Sequence, residues 1–485
     1  MENSTELRQV AYSVLLTQIQ FGAYHCQDKL PTIEETSIQL CVSVDTARAA
    51  YLKLKEEGYI TLTKNIGASV KVNYDAKKTE DFIQTFFSMR KTAMTDLANS
   101  MHPLLSNAQW VGLKNARPET LAALERLFRK ENAVAPYAML EHLNLKYSSL
   151  GNSLLMRFVW QAFMFLYDPF FAIKDNLQYF DSSAGYLPHI LSLCQSKDWP
   201  GLRTALDASV ERLSLAISHF YQSRITMPLP EKEIPFTWSS YKKSRQLCYS
   251  FAMELLISIS HGVYPAGSLL PSQKELAEQK GVSLSTARRA LELLGSVGAI
   301  KSARYVGTKV LPLHQATENS DFTNPVFQRR LLDMEESLQM LALSCKDVSL
   351  FILSSSGPYL ADTLSRQLKG HRQRQRGETL SHFILDLLAK AAPCQAIRTV
   401  YSELLLQFFW AYALRGMKGS QNHINAIYAP YSDALIESLE KMDFSGFSAV
   451  LEELIIYELC CTVSFLSQLG IPGADSILIP DKSTS

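Results

Sequence analysis

Apolar residues recur with a helical period along most of this 485-residue chain, and helix start signals divide the pattern into elements. The clearest signal is the S-x-x-E spacing of Ser272 and Glu275, which is typical of a capping box at a helix start. The helix that begins there is predicted to end at Gly281. Ser283 then supplies the cap of a second helix, over residues 284–294. Two short helices joined by a glycine-containing turn form a helix-turn-helix.

The second predicted helix has an apolar face and a polar face. Its alanines and leucines fall on one stripe, so Ser285, Arg288 and Arg289 lie outside the core. Two adjacent arginines at a solvated helix start suit contacts to phosphates or to a guanine edge. Beyond this helix, the alternation over residues 299–310 predicts a two-stranded hairpin, a wing, with its turn near Tyr305.

Residues 261–310 resemble the winged-helix DNA-binding domain of GntR-type bacterial transcription regulators. The motifs that carry the resemblance are His261-Gly262-Val263-Tyr264-Pro265, Leu270-Pro271-Ser272, Gly281-Val282-Ser283, Thr286-Ala287-Arg288 and Gly307-Thr308-Lys309-Val310. The resemblance implies DNA contacts by polar residues of the two helix starts, the second helix and the wing. These residues are Ser272, Lys274, Ser283, Ser285, Thr286, Arg288, Arg289, Arg304 and Gly307. The chain departs from the family at Lys274, Leu284 and Tyr305, where the family usually has Arg, Arg and Gly.

The same pattern occurs once more, 240 positions earlier and without a gap. Pro31 matches Pro271, Val42-Ser43 match Val282-Ser283, Thr46-Ala47-Arg48 match Thr286-Ala287-Arg288, and Gly67 matches Gly307. Two ungapped copies indicate an internal duplication. The weaker counterparts of the DNA-contacting residues in the first copy are Thr46, Arg48, Lys64 and Gly67.

The two copies differ in charge. Residues 1–75 contain seven basic and nine acidic residues, a net charge of −2, whereas residues 241–315 contain ten and four, a net charge of +6. Glu34 stands opposite Lys274, and Asp45 lies at the start of the first copy's second helix, where each would repel a phosphate. We predict that the second copy supplies most of the DNA affinity, and that the first supplies little or reads DNA only in combination.

Helical periodicity with almost no strand signal fills residues 76–225 and 316–480, which predicts two all-α domains of bundle type. Three prolines in segment 226–240 predict a semi-rigid extended linker. The predicted fold class is therefore mainly α: two winged helices, at residues 1–75 and 241–315, alternate with two helical domains. The longer predicted helices include Phe82–Met101, Val326–Ser344 and Ala396–Leu414.

The position of each helical domain after a winged helix makes it resemble the FadR-like (FCD) effector-binding domain of the same family. Many such domains hold a divalent metal through an Asp and three His, and Glu141, Leu145, His189 and Glu211 stand at these positions here. We therefore predict no metal and no cofactor, although one His with two Glu could in principle bind a metal.

The same resemblance implies a small-molecule effector. The candidate ligand-binding residues are His142, Asn152, Arg157 and His189, and a pocket beside His142 or Arg157 would suit a carboxylate. The alternative for His189 is a partly buried helix residue without a ligand.

Two further clusters have a structural and a functional interpretation. The basic run Arg366–Arg376 predicts a solvated loop, with a phosphate or acidic-ligand contact as the alternative. The aromatic clusters at Phe158–Phe165 and Phe408–Tyr412 predict bundle core, with a ligand cage as the alternative.

Composition restricts the remaining classes of function. A net charge of +1 indicates that any nucleic-acid binding comes from local patches. Eight cysteines without C-x-x-C or zinc-type spacing indicate free thiols in a reducing cytosol. The polar N-terminus and the short apolar run Leu404–Leu414 predict no signal peptide and no membrane span, and hence a cytoplasmic protein. The common catalytic motifs are missing, so no enzyme activity is expected.

These observations predict a bacterial, GntR-type transcription regulator with double-stranded DNA and a small effector as partners. One chain with two unequal heads would act as a covalent pseudo-dimer on an asymmetric site. A homodimer in which only the second head reads DNA is one alternative. A non-sensing architectural or interaction factor, in which one or both winged helices no longer bind DNA, is the other.

Overall fold

The structure, a computed structural model, describes residues 4–40, 42–63, 66–129, 135–179, 186–239 and 243–481. The chain divides into two compact units: unit 1 comprises Met1–Leu150 and Met156–Phe236, and unit 2 comprises Gly151–Leu155 and Thr237–Ser485. Both units are mainly helical and each has one small antiparallel sheet, which confirms the predicted mainly α fold class with small β wings.

Unit 1 begins with three helices and a two-stranded hairpin, which we call head 1 (residues 4–75). Its elements are α1 (Ser4–Gln20), α2 (Ile33–Gln39), α3 (Val44–Glu56), β1 (Ile60–Thr63) and β2 (Gly67–Val70). The strands pair antiparallel, with Ile60 opposite Val70 and Thr63 opposite Gly67. The core of head 1 is formed mainly by the apolar faces of α1 and α3, because Leu15, Ala47 and Leu54 are completely buried.

The rest of unit 1 is helical. Its helices are α4 (Ala76–Ser88), α5 (Lys91–Lys114), α6 (Pro118–Arg129), α7 (Ala135–Tyr147), α8 (Ser153–Ala162, of which the first three residues belong to unit 2), α9 (Asp168–Phe171), α10 (Tyr186–Ser196) and α11 (Trp199–Ser223). A π-helical segment, Phe163–Tyr167, continues α8, and a 3-10 helix, Lys174–Tyr179, follows α9. The long helices α5 and α11 pack against each other.

The single helix predicted over Phe82–Met101 is wrong, because the structure has two helices that meet at Met89 and Arg90. Residues of the predicted linker, 226–240, form hydrogen bonds with both helices at this break. Ile234 donates a backbone hydrogen bond of 2.7 Å to the carbonyl of Met89. Glu233 caps α5, since its carboxylate accepts from the backbone N–H and the hydroxyl of Thr92, at 3.1 and 2.9 Å.

In unit 2, three helices and a two-stranded hairpin again precede the other long helices. Head 2 (residues 243–315) contains α12 (Lys243–Ser260), α13 (Gln273–Lys280), α14 (Leu284–Ser296), β3 (Ile300–Ala303) and β4 (Gly307–Val310). Ile300 pairs with Val310 and Ala303 with Gly307. The remaining helices are α15 (Pro325–Ser356), α16 (Pro358–Gln373), α17 (Leu380–Ala391), α18 (Gln395–Leu405), α19 (Gln421–Glu440) and α20 (Phe444–Gln468).

Helix α15 is the central helix of unit 2 and packs against α18 and α20. It extends twelve residues beyond the predicted end at Ser344. By length and composition it could cross a membrane, but 72% of its most apolar window is buried within the described structure, which is the environment of a core helix.

Two other predictions for unit 2 are corrected by the structure. Most of the basic run Arg366–Arg376 lies on α16 and is not a loop, since that helix continues to Gln373. The helix predicted over Ala396–Leu414 changes type at Leu406, where a 3-10 helix, Leu406–Lys418, begins. The predicted core role of Trp410 is consistent with its 2% exposure, and its ring lies 5.7 Å from that of Tyr249 in α12.

Candidate nucleic-acid interface

The start of α13 is fixed by a reciprocal pair of hydrogen bonds. The Ser272 hydroxyl accepts from the N–H of Glu275 at 3.3 Å, and the Glu275 carboxylate accepts from the N–H of Ser272 at 2.8 Å. The capping box predicted from the sequence is therefore formed. The bonds from Ser272 also lower the pKa of Glu275, so the carboxylate is ionised at neutral pH and completes the cap. Gly281 ends the helix in the left-handed conformation, at a φ of 63°.

Three hydroxyl groups gather at the N-terminus of α14. The Ser283 hydroxyl accepts from the N–H of Thr286 at 3.1 Å and lies 2.9 and 2.8 Å from the hydroxyls of Ser285 and Thr286. Free backbone N–H groups and the helix dipole make such a terminus attractive to a phosphate. Hydroxyls can add hydrogen bonds to the same anion.

The basic side chains predicted to contact DNA are exposed. Arg289 forms no ion pair with any described residue, and Arg288 makes only a long contact of 3.7 Å with Glu292. Lys274 is similarly exposed and lies 3.9 Å from Glu278. Exposed pairs of this length stabilise little, so all three cations are available to a polyanion.

The wing presents the tip of the β3–β4 hairpin to solvent. Tyr305 occupies the turn with a φ of 63° and an exposure of 92%, at the position where the sequence departs from glycine. The guanidinium of Arg304 lies 4.9 Å from the centre of the Tyr305 ring. Gly307 begins β4 with a φ of 109°, a conformation that explains a glycine at this position.

Two lysines of the wing were not among the DNA-contacting residues predicted from the sequence. Lys301 and Lys309 are directly opposite each other in the antiparallel register, and both are exposed. Like charges in such a pair are unfavourable unless an anion lies nearby. The alternation of the wing sequence contains this signal, because positions 301 and 309 fall on the polar face of their strands.

Head 1 places its equivalent residues differently. Thr46 was predicted to contact DNA, but its side chain is only 2% exposed, and its hydroxyl lies 2.8 Å from that of Ser43. Arg48 is exposed but lies 3.7 Å from Asp45. Gly67 begins β2 with a φ of 98°, and Lys64 lies outside the described residues.

The helix-turn-helix of head 1 is covered by other parts of unit 1. Helix α2 packs against α7. The indole N–H of Trp160 donates to the carbonyl of Leu40, in the turn between α2 and α3, at 3.3 Å. Leu40 is buried, whereas Lys280 and Gly281 in the corresponding turn of head 2 are exposed.

The predicted ligand residues do not form one cluster within a unit. Asn152 belongs to unit 2, whereas His142, Arg157 and His189 belong to unit 1. The amide nitrogen of Asn152 donates to the backbone carbonyl of Glu336 and to the side chain of Gln339, both at 2.8 Å. Its oxygen caps α8 by accepting from the N–H of Leu155 at 2.7 Å. Both ends of the Asn152 amide are therefore engaged by the protein.

The other three predicted ligand residues have contrasting surroundings. Burial, together with the charge of Lys146, lowers the pKa of His142 far below its ordinary value, and its Nε2 has no hydrogen-bond partner among the described residues. Arg157 is half-buried and His189 is exposed. No group of three His, Cys, Asp or Glu side chains suited to a metal ion occurs in the described part of the chain.

Comparison with known proteins points to head 2. Residues 251–310 match the sequence model of the bacterial regulatory proteins of the gntR family. The uncharacterized HTH-type transcriptional regulator YieP of Escherichia coli (strain K12) is 33% identical over 79 residues, which are 16% of this chain and 34% of that protein. The chain thus spans about a third of the length of this curated relative.

Two solved structures are also similar. Streptococcus agalactiae GntR has 16% sequence identity and a TM-score of 0.23, and the match covers 44% of this chain and 99% of that chain. E. coli McbR/YncC has 16% identity and a TM-score of 0.22, with coverage of 44% and 98%. Residues 251–310 therefore form a helix-turn-helix with a wing that is similar to the DNA-binding region of the gntR family.

Proposed function

We propose that this chain is a DNA-binding transcription regulator of the GntR type, and that head 2 reads double-stranded DNA. The observation that carries the proposal is the set of exposed cations on α14 and the wing, namely Arg288, Arg289, Lys301 and Lys309. Such a surface binds the phosphate backbone. The hydroxyls at the start of α14 add hydrogen bonds to a phosphate next to that helix.

In this proposal α14 enters the major groove and α13 crosses the backbone, as in other helix-turn-helix proteins. Arg288 then offers two donors to a guanine edge, and its weak contact with Glu292 is given up on binding. Arg304 and Gly307 lie at the wing tip, where the hairpin would contact the adjacent backbone or groove.

Head 1 contributes little to DNA affinity in this proposal. Its charge is net negative, its turn at Leu40 is covered by Trp160, and its Thr46 is buried. One chain therefore presents one reading head. A single chain would bind one asymmetric half-site, and a symmetric site would require two chains.

An internal duplication of the head and its helical partner is part of the proposal. Local geometries that are costly for most residues recur at equivalent positions, which supports it. Gln27 and Gly267, which are 240 positions apart, have φ values of 77° and 90°. Lys197 and Met442, 245 positions apart, have φ values of 57° and 56°, and each directly precedes the Asp that caps the next helix, α11 or α20. The capping boxes of α2 and α13 and the isolated bridges Lys29–Ser69 and Leu269–Lys309 also recur 240 positions apart.

The helical regions would sense a small metabolite, and in unit 1 the ligand residues named from the sequence would take part. The inaccessible Nε2 of the half-buried His142 has no partner among the described residues, which supports a neutral hydrogen-bonding role there, since the lowered pKa of His142 removes a charge. A ligand that binds one arrangement of a unit more tightly than another would shift the DNA affinity by its differential binding energy.

The first experiment is selection of bound duplexes from a random pool with the full-length protein. The Arg288→Ala, Arg289→Ala double variant should lose the enriched motif, whereas the charge-matched Arg48→Ala, Lys55→Ala variant of head 1 should keep it. Light scattering on the enriched complex distinguishes one chain from two. Failure to enrich any motif with the unaltered protein would reject the proposal.

A further inference from the structure

A cavity of about 730 Å³ lies within unit 2, between head 2 and the helical region. The C-terminal part of α12 forms one wall, with Ile257 and His261 among its lining residues. The opposite walls come from the end of α16, from α17 and from the 3-10 helix Leu406–Lys418. A molecule of this size would contact the DNA-reading head and the helical region at once, and pockets for small molecules commonly have this volume.

The unusual helix type explains how one wall of the cavity is built. Tyr412, Arg415 and Lys418 are spaced by three residues in the 3-10 helix and all line the cavity. With three residues per turn, side chains at this spacing lie in one row. An α-helix would rotate each successive member of the row away by about 60°. The long 3-10 segment therefore aligns a hydroxyl, a guanidinium and an ammonium group along the same wall.

Two of these side chains are buried and have polar atoms without partners. Arg415 is 7% exposed and Tyr412 is 9% exposed. The Nη atoms of Arg415 donate to the Gly419 carbonyl at 3.0 Å and to the Gln421 amide oxygen at 2.8 Å, but both acceptors are neutral. Arg415 Nε and the Tyr412 hydroxyl have no hydrogen-bond partner among the described residues. A buried guanidinium without a counter-ion is costly, so an anion is the expected partner.

The other charged groups around the cavity leave this excess positive charge in place. The Glu378 carboxylate lies 3.8 Å from Arg376 and accepts from Gln421 at 2.7 Å, and Asp386 accepts from Lys390 at 2.6 Å. Lys418 lines the cavity, but its ammonium group is already paired, at 2.9 Å, with Glu458, which does not line the cavity.

The remaining cation and the histidines complete the lining. Arg374 also lines the cavity and forms no ion pair with any described residue. Burial lowers the pKa of His371, and the nearby Arg374 lowers it further; burial likewise lowers the pKa of His382. His261 lies close enough to His371 to contribute to that shift. The guanidinium groups therefore carry the positive charge at neutral pH.

The rest of the lining is apolar, and includes Met253, Leu256, Phe383 and Phe408. We propose that this cavity binds a small organic anion with an apolar body, whose carboxylate or phosphate group is held by Arg415 and Tyr412. The inference rests on the proposed function in one respect, namely that ligand binding here would alter DNA binding by head 2. It adds an effector site in unit 2, at the junction of α12 with the 3-10 helix.

The test uses 8-anilinonaphthalene-1-sulfonate, an apolar anion with fluorescence that reports binding, on the full-length protein. Saturable binding is expected, with competition by decanoate or by decyl phosphate and none by the neutral decanol. The stronger competitor identifies the carboxylate or the phosphate class. Arg415→Met should weaken binding by roughly ten-fold or more, the scale of one charge-assisted hydrogen bond. The matched control Arg366→Met removes an exposed guanidinium of α16 and should bind normally.

Tyr412→Phe removes only the hydroxyl group and is the second variant, for use if Arg415→Met does not fold. We expect it to weaken binding of the fluorescent anion several-fold. Equal affinity in the unaltered protein and in either cavity variant, or competition by decanol as strong as by the anions, would overturn the proposal. The site selection described above is independent of this test. Enriched DNA without anion binding rejects only the cavity site, and anion binding without enriched DNA rejects only the regulator.

Discussion

Head 1 and head 2 have the same elements in the same order, but their helix-turn-helix segments face different surroundings. In head 2 the turn and the start of α14 are exposed, and the net charge of residues 241–315 is +6. In head 1, α2 packs against α7, the turn after α2 is contacted by Trp160, and residues 1–75 have a net charge of −2. The difference shows that the fold of a winged helix depends on its buried stripe and not on its reading face.

The buried stripe is indeed shared by the two heads. Ala47 and Ala50 are as deeply buried as Ala287 and Ala290. The outer positions have diverged, since Ala49 stands where head 2 has Arg289. A function resides in such surface positions, and a head that has lost them can keep its fold as a packing element.

The largest effect is expected at Gly298, the glycine that follows the second helix of the helix-turn-helix in head 2. Gly298 has a φ of 70°, and a Cβ there would overlap the carbonyl oxygen of Ala316. We expect Gly298→Ala to lower the free energy of unfolding by about 2–4 kcal/mol, through left-handed strain and overpacking. Urea unfolding, followed by hydrogen exchange in unit 2, measures the loss.

Gly58 is the matched control in head 1. Its φ is 83°, and a Cβ there would meet no atom of the described structure within 4 Å. Gly58→Ala should cost only about 1–2 kcal/mol, the strain of the left-handed conformation. Equal losses at the two glycines would contradict the close packing of head 2 against Ala316.

The second prediction concerns DNA affinity. Arg288→Ala should weaken binding to the selected duplex by about 1–3 kcal/mol, roughly 5- to 150-fold in Kd, because one bidentate base contact is lost. Arg48→Ala removes the equivalent charge from head 1 and should have a smaller effect. The measurement is a titration of each variant at one fixed salt concentration. Similar losses for the two variants would mean that both heads read DNA.

Local signals explain why the heads could be predicted from the sequence. The capping boxes, the turn at Gly281 and the alternation of the wing each depend on residues close together in the chain. The break between α4 and α5 could not be predicted, because it is held by Glu233 and Ile234 from the far end of unit 1. Neither glycine nor proline marks that break in the sequence.

The candidate sites also have some features that follow from local sequence patterns and others that depend on residues far apart in the chain. The exposure of Arg288 and Arg289 follows from the helical period of α14. The burial of Thr46 does not, since it depends on how head 1 packs within unit 1. The cavity in unit 2 needs Ile257, Arg374 and Arg415 together, and no local pattern relates residues so far apart. The basic run was recognised in the sequence, but its helical conformation was not.

The third prediction tests the packing of head 1 through pH. Asp168 is buried in unit 1 near Gln18 of α1, and burial raises the pKa of its carboxyl group to about 7. The folded state therefore keeps a proton that the unfolded chain loses near pH 4. Stability falls as pH rises from about 4 to about 7, because the folded state binds more protons in this range.

Asp168→Asn replaces the titrating carboxyl group by an amide of the same shape, which does not titrate. We expect it to stabilise unit 1 by about 1–3 kcal/mol above pH 7, with the gain disappearing near pH 4. Chemical unfolding at both pH values measures the difference. Head 2 has Ser258 at the position of Gln18, so hydrogen exchange in head 2 should not change. A gain that is independent of pH would show that the carboxyl of Asp168 is not the cause.

The smallest effect is expected at the hydrogen bond that covers the turn of head 1. Trp160→Phe leaves the carbonyl of Leu40 without its donor, which should cost about 0.5–1.5 kcal/mol and speed hydrogen exchange at Val42, whose N–H bonds to Ser37. Trp110→Phe is the matched control, because it removes an indole bond of 3.0 Å to Trp199 elsewhere in unit 1.

The Trp160→Phe variant also distinguishes two explanations for weak DNA binding by head 1, namely its negative charge and its covered turn. If negative charge is the main reason, Glu34→Lys with Ala49→Arg should raise DNA affinity at low salt to the same extent with or without Trp160→Phe. If the covered turn is the main reason, the charge changes should have little effect until Trp160→Phe is added. The buried Thr46 favours the second result, because a cation on α3 gains a base contact only when the start of that helix can enter the groove.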